Sequence, residues 1–264
     1  MTNDLLAPPI ATEPGATRTP VRAAVLSAAP GRVEVEELLL DDWLAPTEVR
    51  VRVDACGLCH SDLHMIEAEL PVPLPTIVGH EVSGVVEAVG ADVDDLAVGD
   101  AVVACLSMYC GRCRACGEGR TFLCERRNDL GRAERPVPRL VRPDGRAVGQ
   151  VAGIGGLAER TVLHRNSVVR VPAEVPADRA GLLGCAVLTG YGAVVHAARV
   201  RAGESVVVIG CGGVGLNLVQ SAVLAGAGRV VAVDLGAPRL GTARRFGATH
   251  VVDAEVEDPV AAVQ

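Results

Sequence analysis

The first half of the chain shows the alternation of polar and apolar residues that is typical of half-buried β-strands. Residues 48–54 place valines on one face and charged side chains on the other, and residues 83–89 and 100–105 follow a related pattern. Two further short strands are expected within residues 157–171, whereas residues 125–149 are rich in Arg, Pro and Gly and predict a long loop. We therefore expect a mostly-β first domain, built as a small barrel with irregular excursions.

Short apolar runs and helical segments alternate in the second half. The apolar runs are of the kind found in buried parallel strands, and they lie at residues 205–209, 229–233 and 250–252. Helices are predicted over residues 178–200, 214–224 and 238–246. Because strands and helices alternate with tight connections, this half predicts a parallel sheet.

These patterns divide the chain into a flexible N-terminal lead at residues 1–20, a mostly-β domain at 21–178 and an α/β domain at 179–264. The lead has no basic segment followed by an apolar one, so it does not predict a secretory signal, and we expect a cytoplasmic protein. The longest apolar region, residues 206–233, is interrupted by Asn217, Gln220 and Arg229. No membrane-spanning segment is therefore expected.

Composition and charge narrow the classes of function. The 264 residues are 49% hydrophobic and 22% charged, values typical of folded domains, so disorder of the bulk of the chain is excluded. All 25 basic residues are Arg, which excludes chemistry that requires a lysine amine, such as Schiff-base formation. A formal net charge of −7 gives no electrostatic attraction to nucleic acid or to an anionic membrane, so neither is expected as a partner.

Four cysteines lie close together in the chain, at Cys110, Cys113, Cys116 and Cys124. Four thiolates on one short loop match the closed tetrahedral ligand set of a structural zinc site, in which no position is left for a substrate. Clustered thiols in a chain without an export signal hold metal more often than they form disulfides, but a redox pair and iron in the same cage remain open. Residues 105–127 are predicted to form a structural zinc lobe.

A glycine-rich turn follows the apolar run at 205–209. It has the Gly-x-Gly-x-x-Gly pattern of dinucleotide-binding proteins, and its residues are Gly210, Cys211, Gly212, Gly213, Val214 and Gly215. Gly210 allows the tight turn, Gly212 lets a pyrophosphate approach the backbone, and Gly215 lets the following helix pack closely against the strand. This context predicts a dinucleotide-binding turn.

The acidic residue expected for such a turn is Asp234, which lies 19 positions after Gly215 at the end of the next predicted strand. A carboxylate there binds the ribose hydroxyls of the adenosine and repels a 2′-phosphate. We therefore expect NAD rather than NADP as the cofactor, with Arg239 as a residue that could weaken this preference.

Further candidate metal ligands lie in three short segments: Cys59-His60-Ser61-Asp62-Leu63-His64, Gly79-His80-Glu81 and Gly184-Cys185. Taken singly, each cysteine or histidine is typical of a buried structural residue. Their occurrence together with the four-cysteine segment and the glycine turn favours a functional interpretation.

From Val21 to the C-terminus, these motifs and their order resemble the zinc-dependent medium-chain alcohol dehydrogenase family. The resemblance implies a chain of α+β and α/β class, with a GroES-like, mostly-β catalytic domain followed by a Rossmann domain. It implies two zinc ions per chain, NAD, a small alcohol or aldehyde substrate and a homo-oligomer.

The resemblance also implies roles for individual residues. Cys59, His80 and Cys185 would bind a catalytic zinc ion and leave a fourth position for the substrate oxygen. Asp62 would orient His80, and Glu81 would lie close behind the metal. Ser61 would take the hydroxyl proton, which then passes through the cofactor ribose to His64 at the surface. His60 would face the pyrophosphate, and Thr189 would lie beside the nicotinamide.

The family's Rossmann domain has six strands in the order 3-2-1-4-5-6, whereas residues 179–264 account for the first, βαβαβ, half. The chain is therefore expected to be an incomplete member, with an open edge on the strand at 205–209 and a doubtful capacity to oligomerise. As an isolated chain it is expected to be poorly soluble or inactive.

Two alternatives to alcohol oxidation stay open on the same residues. One is oxidation of a formaldehyde adduct of a thiol, linked to glutathione or mycothiol. The other is a non-catalytic zinc-binding fragment, which would bind metal but transfer no hydride.

Overall fold

A computed structural model describes residues 17–127, 130 and 137–264. These residues divide into two compact units, with the division between Gly184 and Cys185. The division lies six residues after the predicted boundary at residue 178, because the turns up to Gly184 pack on the first unit. A Cβ on Gly181 would lie 2.4 Å from the Glu81 carbonyl oxygen. The first strand begins at Arg18, inside the predicted lead, and residues 1–16 of that lead lie outside the described residues.

The strands of the first unit are β1 (Arg18–Leu26), β2 (Val33–Asp41), β3 (Glu48–Gly57), β4 (Thr76–Ile77), β5 (Glu81–Val89), β6 (Ala101–Ala104), β7 (Leu140–Val141), β8 (Ala147–Gln150), β9 (Arg160–His164) and β10 (Val168–Arg170). One group closes a barrel in the order β1-β2-β7-β8-β4, and the other forms a five-stranded sheet in the order β10-β6-β5-β3-β9. The mostly-β barrel that was predicted for this part of the chain is therefore confirmed.

The helices of the first unit are short and lie in its connections. They are α1 (His60–Ile66), α2 (Arg114–Gly117) and α3 (Ala177–Ala180), with 3-10 turns at Thr121–Leu123, Val151–Gly153, Arg165–Ser167 and Gly181–Gly184. The connection from β3 into α1 and the connection from β4 into β5 carry the predicted ligands Cys59 and His80.

The five-stranded sheet buries one valine face of β3, as its alternation predicts. Val49 and Val51 pack in a core of small aliphatic side chains, consistent with a chain that is only 2% aromatic. Glu48 departs from the pattern because it is 2% exposed, and its carboxylate accepts a hydrogen bond of 2.9 Å from the Arg139 guanidinium. A buried carboxylate requires such a partner, so this pair ties β3 to the segment ahead of β7.

The prediction of a loop over residues 125–149 is wrong for the C-terminal part of this segment. Strands β7 and β8 form an antiparallel hairpin, with Leu140 paired to Val148 and Val141 paired to Ala147. The hairpin also joins the barrel through pairing of Val141 with Leu39 in β2. Strands this short show no periodicity in the sequence, and contacts with distant strands determine them.

The second unit contains a three-stranded parallel sheet in the order β11 (Ser205–Ile209), β12 (Arg229–Asp234) and β13 (His250–Asp253). Its helices are α4 (Ala186–Tyr191), α5 (Gly213–Leu224), α6 (Ala237–Arg245) and α7 (Pro259–Val263), with a π-helix at Gly192–Ala197. The parallel βαβαβ arrangement is confirmed. β11 is an edge strand, and it exposes 83% of Ile209 and 41% of Val207, whereas Val208 is buried.

The prediction of a continuous helix over residues 178–200 is wrong. The segment is broken at Cys185, whose φ of −139° and ψ of −79° are not helical, and it changes to π-helical geometry after Tyr191. Gly190 supports close packing of α4 on α5, because a Cβ there would lie 2.7 Å from the backbone of Asn217.

Within the described residues, no single helix is long and apolar enough to cross a membrane. One bent pair, Ala177–Gly184 and Ala186–Ala197, meets the length and composition criteria when its two helices are taken together.

Candidate functional site

Cys59 lies at the N-cap of α1, directly after the turn that ends β3. The Asp62 carboxylate accepts a hydrogen bond of 3.0 Å from the Cys59 backbone N–H, which fixes the start of the helix. The Cys59 Sγ lies 3.6 Å from the Ser61 Oγ. Burial by itself raises the pKa of the Cys59 thiol, but hydrogen bonds from Ser61 and from His80 outweigh it and lower that pKa. The thiol is therefore prepared to act as a thiolate ligand.

His80 is held by the same carboxylate. Its Nδ1 lies 3.4 Å from Asp62 Oδ1, and both residues are almost fully buried. Asp62 Oδ1 also accepts a hydrogen bond of 3.0 Å from the Gly79 N–H. Burial raises the pKa of Asp62, but the contacts with His80, Cys59 and Gly79 lower it further than burial raises it. A charged Asp62 beside Nδ1 leaves Nε2 as the ligand nitrogen of His80, which is the usual arrangement in zinc proteins.

Cys185 follows Gly184 directly and is the first residue of the second unit. Gly184 lies so close to Ala104 that a Cβ on it would stand 1.9 Å from the Ala104 carbonyl oxygen. No larger residue fits there without movement of the backbone.

Within the first unit, one ligand atom from each of Cys59, His80 and Glu81 lies within 4.8 Å of the other two. Zinc bonds of about 2.0–2.3 Å to nitrogen and sulfur place tetrahedral donors about 3.5–3.8 Å apart, so small side-chain movements would close the cluster around an ion. Two thiols and an imidazole are the donor set of a catalytic zinc site. The thiol of Cys59 and the imidazole of His80 therefore fit zinc, and Cys185 stays the predicted third ligand.

Cys56 lies close to this cluster but differs from it chemically. Burial raises the pKa of the Cys56 thiol to about 12. It therefore stays protonated and packs as an apolar side chain.

The predicted proton-transfer residues lie along α1. Ser61 is beside Cys59, and the His64 ring lies 4.7 Å from the ring of His60, measured between centroids. His60 is exposed and His64 is partly exposed. Both histidines therefore reach water from the helix that carries Ser61.

The four cysteines of the predicted structural site converge. Cys110, Cys113, Cys116 and Cys124 each offer a sulfur within 4.8 Å of the others. The sulfurs of Cys113 and Cys116 are 3.4 Å apart and those of Cys110 and Cys116 are 4.0 Å apart, which brackets the roughly 3.8 Å expected between sulfurs in a tetrahedral zinc site.

Backbone amides point at these sulfurs. The Cys113 N–H donates to Cys110 Sγ over 3.3 Å, and the Cys110 N–H donates to Cys124 Sγ over 3.2 Å. Backbone hydrogen bonds from Cys116 and Glu125 lower the pKa of Cys113 to about 6, whereas burial and the contact with Cys113 raise the pKa of Cys116 to about 11. The environment of Cys113 therefore favours a thiolate, whereas Cys116 would have to lose its proton to bind a divalent metal.

The glycine turn has the geometry that its sequence predicts. Gly210 has a φ of +90°, which favours glycine. A Cβ on Gly215 would stand 1.8 Å from the Gly210 carbonyl oxygen, whereas a Cβ on Gly212 or Gly213 would meet no atom within 4 Å. Gly215 therefore lets α5 pack on the turn. The space above Gly212 and Gly213 is open for a ligand.

Asp234 ends β12 beside this turn. Its carboxylate accepts hydrogen bonds from the Cys211 N–H at 2.5 Å and the Leu235 N–H at 2.6 Å, and it lies 3.4 Å from the Arg239 guanidinium. The bond from the Cys211 backbone is the largest cause of a lowered pKa for Asp234. The carboxylate is therefore charged at neutral pH, as recognition of ribose hydroxyls requires.

The other predicted cofactor residues lie in the same unit. Val214 is an exposed residue in the first turn of α5, and Thr189 is an exposed residue of α4 whose N–H donates to the Cys185 carbonyl oxygen.

One cluster of ligand atoms was missed by the sequence interpretation. His64, Glu67 and Glu69 bring a ring nitrogen and two carboxylates within 4.8 Å. His64 alone was singled out, because the chain reversal that brings Glu69 back to it leaves no pattern in the sequence.

Two family models match the chain. Residues 45–173 match "Alcohol dehydrogenase GroES-like domain", and residues 213–264 match "Zinc-binding dehydrogenase". The chain is 40% identical to the NDMA-dependent alcohol dehydrogenase of Amycolatopsis methanolica over 87% of its own length, and 37% identical to the S-(hydroxymethyl)glutathione dehydrogenase of Saccharomyces cerevisiae over 88%. The benzyl alcohol dehydrogenase of Acinetobacter calcoaceticus shares the fold with a TM-score of 0.82 and 34% identity, over 93% of this chain and 67% of that one.

The chain spans 62% and 61% of the lengths of the two curated relatives. The matched domains follow the order expected of a GroES-like domain and a Rossmann-type domain. The chain therefore belongs to the zinc-dependent medium-chain alcohol dehydrogenase family.

Proposed function

We propose that this protein oxidises a primary or secondary alcohol to an aldehyde or ketone, with NAD as the hydride acceptor. The observation that carries the proposal is the convergence of Cys59, His80 and Glu81, with Asp62 holding His80. When bound, zinc would act as a Lewis acid towards the substrate oxygen, and NAD would accept the hydride.

The residues of the chain prepare this site. Cys59, His80 and Cys185 would hold the metal with three donors, and the buried Asp62 carboxylate fixes the orientation of the imidazole. Glu81 places a second buried carboxylate beside these donors and counters the positive charge of the ion.

Ser61 and His64 would move the proton. Ser61 Oγ lies next to the Cys59 sulfur, so it is placed to take the hydroxyl proton of a substrate at the cluster. His64 lies one turn further along α1 and is partly exposed, so it would release the proton to water. His60 is placed at the start of the same helix, where we propose that it meets the cofactor pyrophosphate.

Cofactor binding is assigned to the second unit. Gly210, Gly212, Gly213, Val214 and Gly215 would contact the pyrophosphate through backbone groups and the open space above the turn, and Thr189 would lie beside the nicotinamide. The charged Asp234 supports NAD over NADP, and Arg239 neutralises part of its charge. The two metal clusters support two zinc ions per chain.

A second candidate is oxidation of a thiol adduct of formaldehyde. The 37% identity to a yeast S-(hydroxymethyl)glutathione dehydrogenase favours it, and the same ligands and proton path would serve it. In either case we propose a cytoplasmic protein that acts on a small molecule. A homo-oligomer is proposed from the family alone.

The test measures absorbance at 340 nm with purified chain, NAD and either ethanol, benzyl alcohol or S-(hydroxymethyl)glutathione, together with the zinc content and the NAD affinity. Turnover with an alcohol that is lost in Cys59→Ser supports the proposal, and preference for the thiol adduct selects the second candidate. Zinc and NAD binding without hydride transfer to any of the three would instead identify a non-catalytic zinc-binding module, in accord with the exposed edge of β11.

A further inference from the structure

The end of α1 carries a cluster of ligand atoms that neither predicted zinc site uses. The helix stops at Ile66, and Ala68 adopts a left-handed conformation with a φ of +64°. This reversal lets the Glu69 N–H donate to the His64 carbonyl oxygen over 2.8 Å, in the manner of a Schellman turn. Glu69 is thereby folded back over the last turn of the helix.

The reversal places side chains as well as backbone. The Glu69 carboxylate contacts His64 Nδ1, and Glu67 adds a second carboxylate, so that one ligand atom from each of the three residues lies within 4.8 Å of the others. The His64 and Glu69 side chains are 39% and 59% exposed, so water and ions reach them. The ring of His60, four positions earlier on the helix, packs at 4.7 Å from the His64 ring.

We infer that His64, Glu67 and Glu69 form a third divalent-cation site, which binds zinc or a similar borderline cation from solution. One imidazole nitrogen and two carboxylates are a known zinc donor set, and nitrogen-oxygen sites also accept nickel. Donors of a bound ion stand about 3.4 Å apart, so exposed side chains that are free to rotate need only a small closure. Water would complete the coordination, because the cluster faces solvent.

The site differs from the other two in strength. It has no thiolate, and its three ligands come from one stretch of six residues, His64 to Glu69, whose exposed side chains would lose rotamer freedom when an ion binds. The ion should therefore exchange readily with the medium, whereas the cysteine clusters retain theirs. Its occupancy would follow the free metal concentration.

A consequence rests on the proposed function. An ion on a ring nitrogen of His64 would occupy the side chain through which the proposed proton path releases its proton. Added zinc would then slow alcohol oxidation reversibly, without displacing the ion held by Cys59, His80 and Cys185.

The binding test does not require turnover. The chain is first dialysed to constant zinc content, and Zn²⁺ is then titrated in competition with a chromophoric chelator. We expect one additional Zn²⁺ per chain in the wild type, bound at least about tenfold more weakly in Glu67→Gln/Glu69→Gln, because two anionic ligands are lost. The matched control Glu255→Gln/Glu257→Gln removes the same charge from two exposed positions of the second unit and should bind like the wild type.

Nickel provides an independent readout, because the chain has six histidines whose ring protons can be followed by NMR. At the lowest Ni²⁺ concentrations, the His64 ring signals should broaden first, together with those of the neighbouring His60, and Glu67→Gln/Glu69→Gln should need about tenfold more Ni²⁺. No additional ion in the wild type, equal affinity in all three proteins, or earlier broadening of another histidine would each overturn the site. Loss of turnover in every protein would count against the proposed function and leave the binding result intact.

Discussion

Asp62 offers the sharpest test of how the catalytic cluster is built, because one buried carboxylate contacts two of its ligand-bearing segments. It accepts the backbone N–H groups of Cys59 and Gly79 and lies beside His80 Nδ1. Asp62→Asn keeps the size of the side chain but replaces one acceptor oxygen with an NH₂ donor. That group must then face a backbone N–H or the imidazole, each of which is itself a donor in the present arrangement.

The expected cost has two parts. One buried N–H loses its acceptor, which costs about 1–3 kcal/mol of folding free energy. The imidazole also loses the charge that fixes its orientation, and loss of such a partner weakens metal binding by about 10–100-fold, or about 1.4–2.7 kcal/mol. The first effect acts with or without zinc, whereas the second appears only in the metal affinity.

The assay is competition between the protein and a chelator for Zn²⁺, followed by urea unfolding of the zinc-loaded and zinc-stripped chain. Asp144→Asn is the matched control, because Asp144 is an exposed carboxylate that pairs with Arg146 on the surface. We expect Asp62→Asn to release the ion of the Cys59 cluster at 10–100-fold lower chelator concentration, as estimated above, while the four-cysteine lobe keeps its own. Unchanged zinc affinity in Asp62→Asn would refute the role given to this carboxylate.

Four further predictions follow from particular contacts. Gly215→Ala should disrupt the turn and weaken NAD binding at least about tenfold in calorimetry, since its Cβ would stand 1.8 Å from the Gly210 carbonyl oxygen. The control is Gly241→Ala in α6, where a Cβ would meet no atom within 4 Å; it should raise the free energy of unfolding by about 0.5–1 kcal/mol. Asp234→Ala should lower the ratio of NAD to NADP affinity by about tenfold, because the charge that repels a 2′-phosphate is removed; an unchanged ratio would contradict this role. Glu48→Gln should lower the free energy of unfolding by about 3 kcal/mol in urea, because it breaks the ion pair with Arg139. Glu34→Gln, at an exposed position of β2, should change the free energy of unfolding little. Cys113→Ser should remove one zinc ion per chain by atomic absorption and open the lobe to proteolysis, and full zinc retention would count against the structural site.

Local sequence patterns were sufficient to predict the elements whose structure is determined by residues close together in the chain. The apolar run at 205–209 is the full extent of β11, and the glycine turn has the backbone geometry that its spacing predicts. The four-cysteine lobe also follows from spacing, because its ligands lie within one short segment. The order of strands and helices in the second unit was predicted from the same kind of signal.

Other elements depend on contacts that are distant in the chain. The β7–β8 hairpin is paired with β2, and the composition around it indicates only a loop. The predicted helix over 178–200 breaks at Cys185, where the close approach of Gly184 to Ala104 determines the path of the backbone. The chain reversal at Ala68, which gathers His64, Glu67 and Glu69, leaves no comparable trace in the sequence.

By itself, the sequence determined the family, the domain order, the cysteine lobe and the dinucleotide turn, because each depends on residue types at short and regular spacing. Only the tertiary structure decided that Cys59, His80 and Glu81 converge on one point, that Asp62 supports two of their segments, and that a third cluster lies at the end of α1. The physical reason is that hydrogen bonds and backbone packing between distant segments set those distances to within a few ångströms, whereas periodicity reports only the local conformation of the chain.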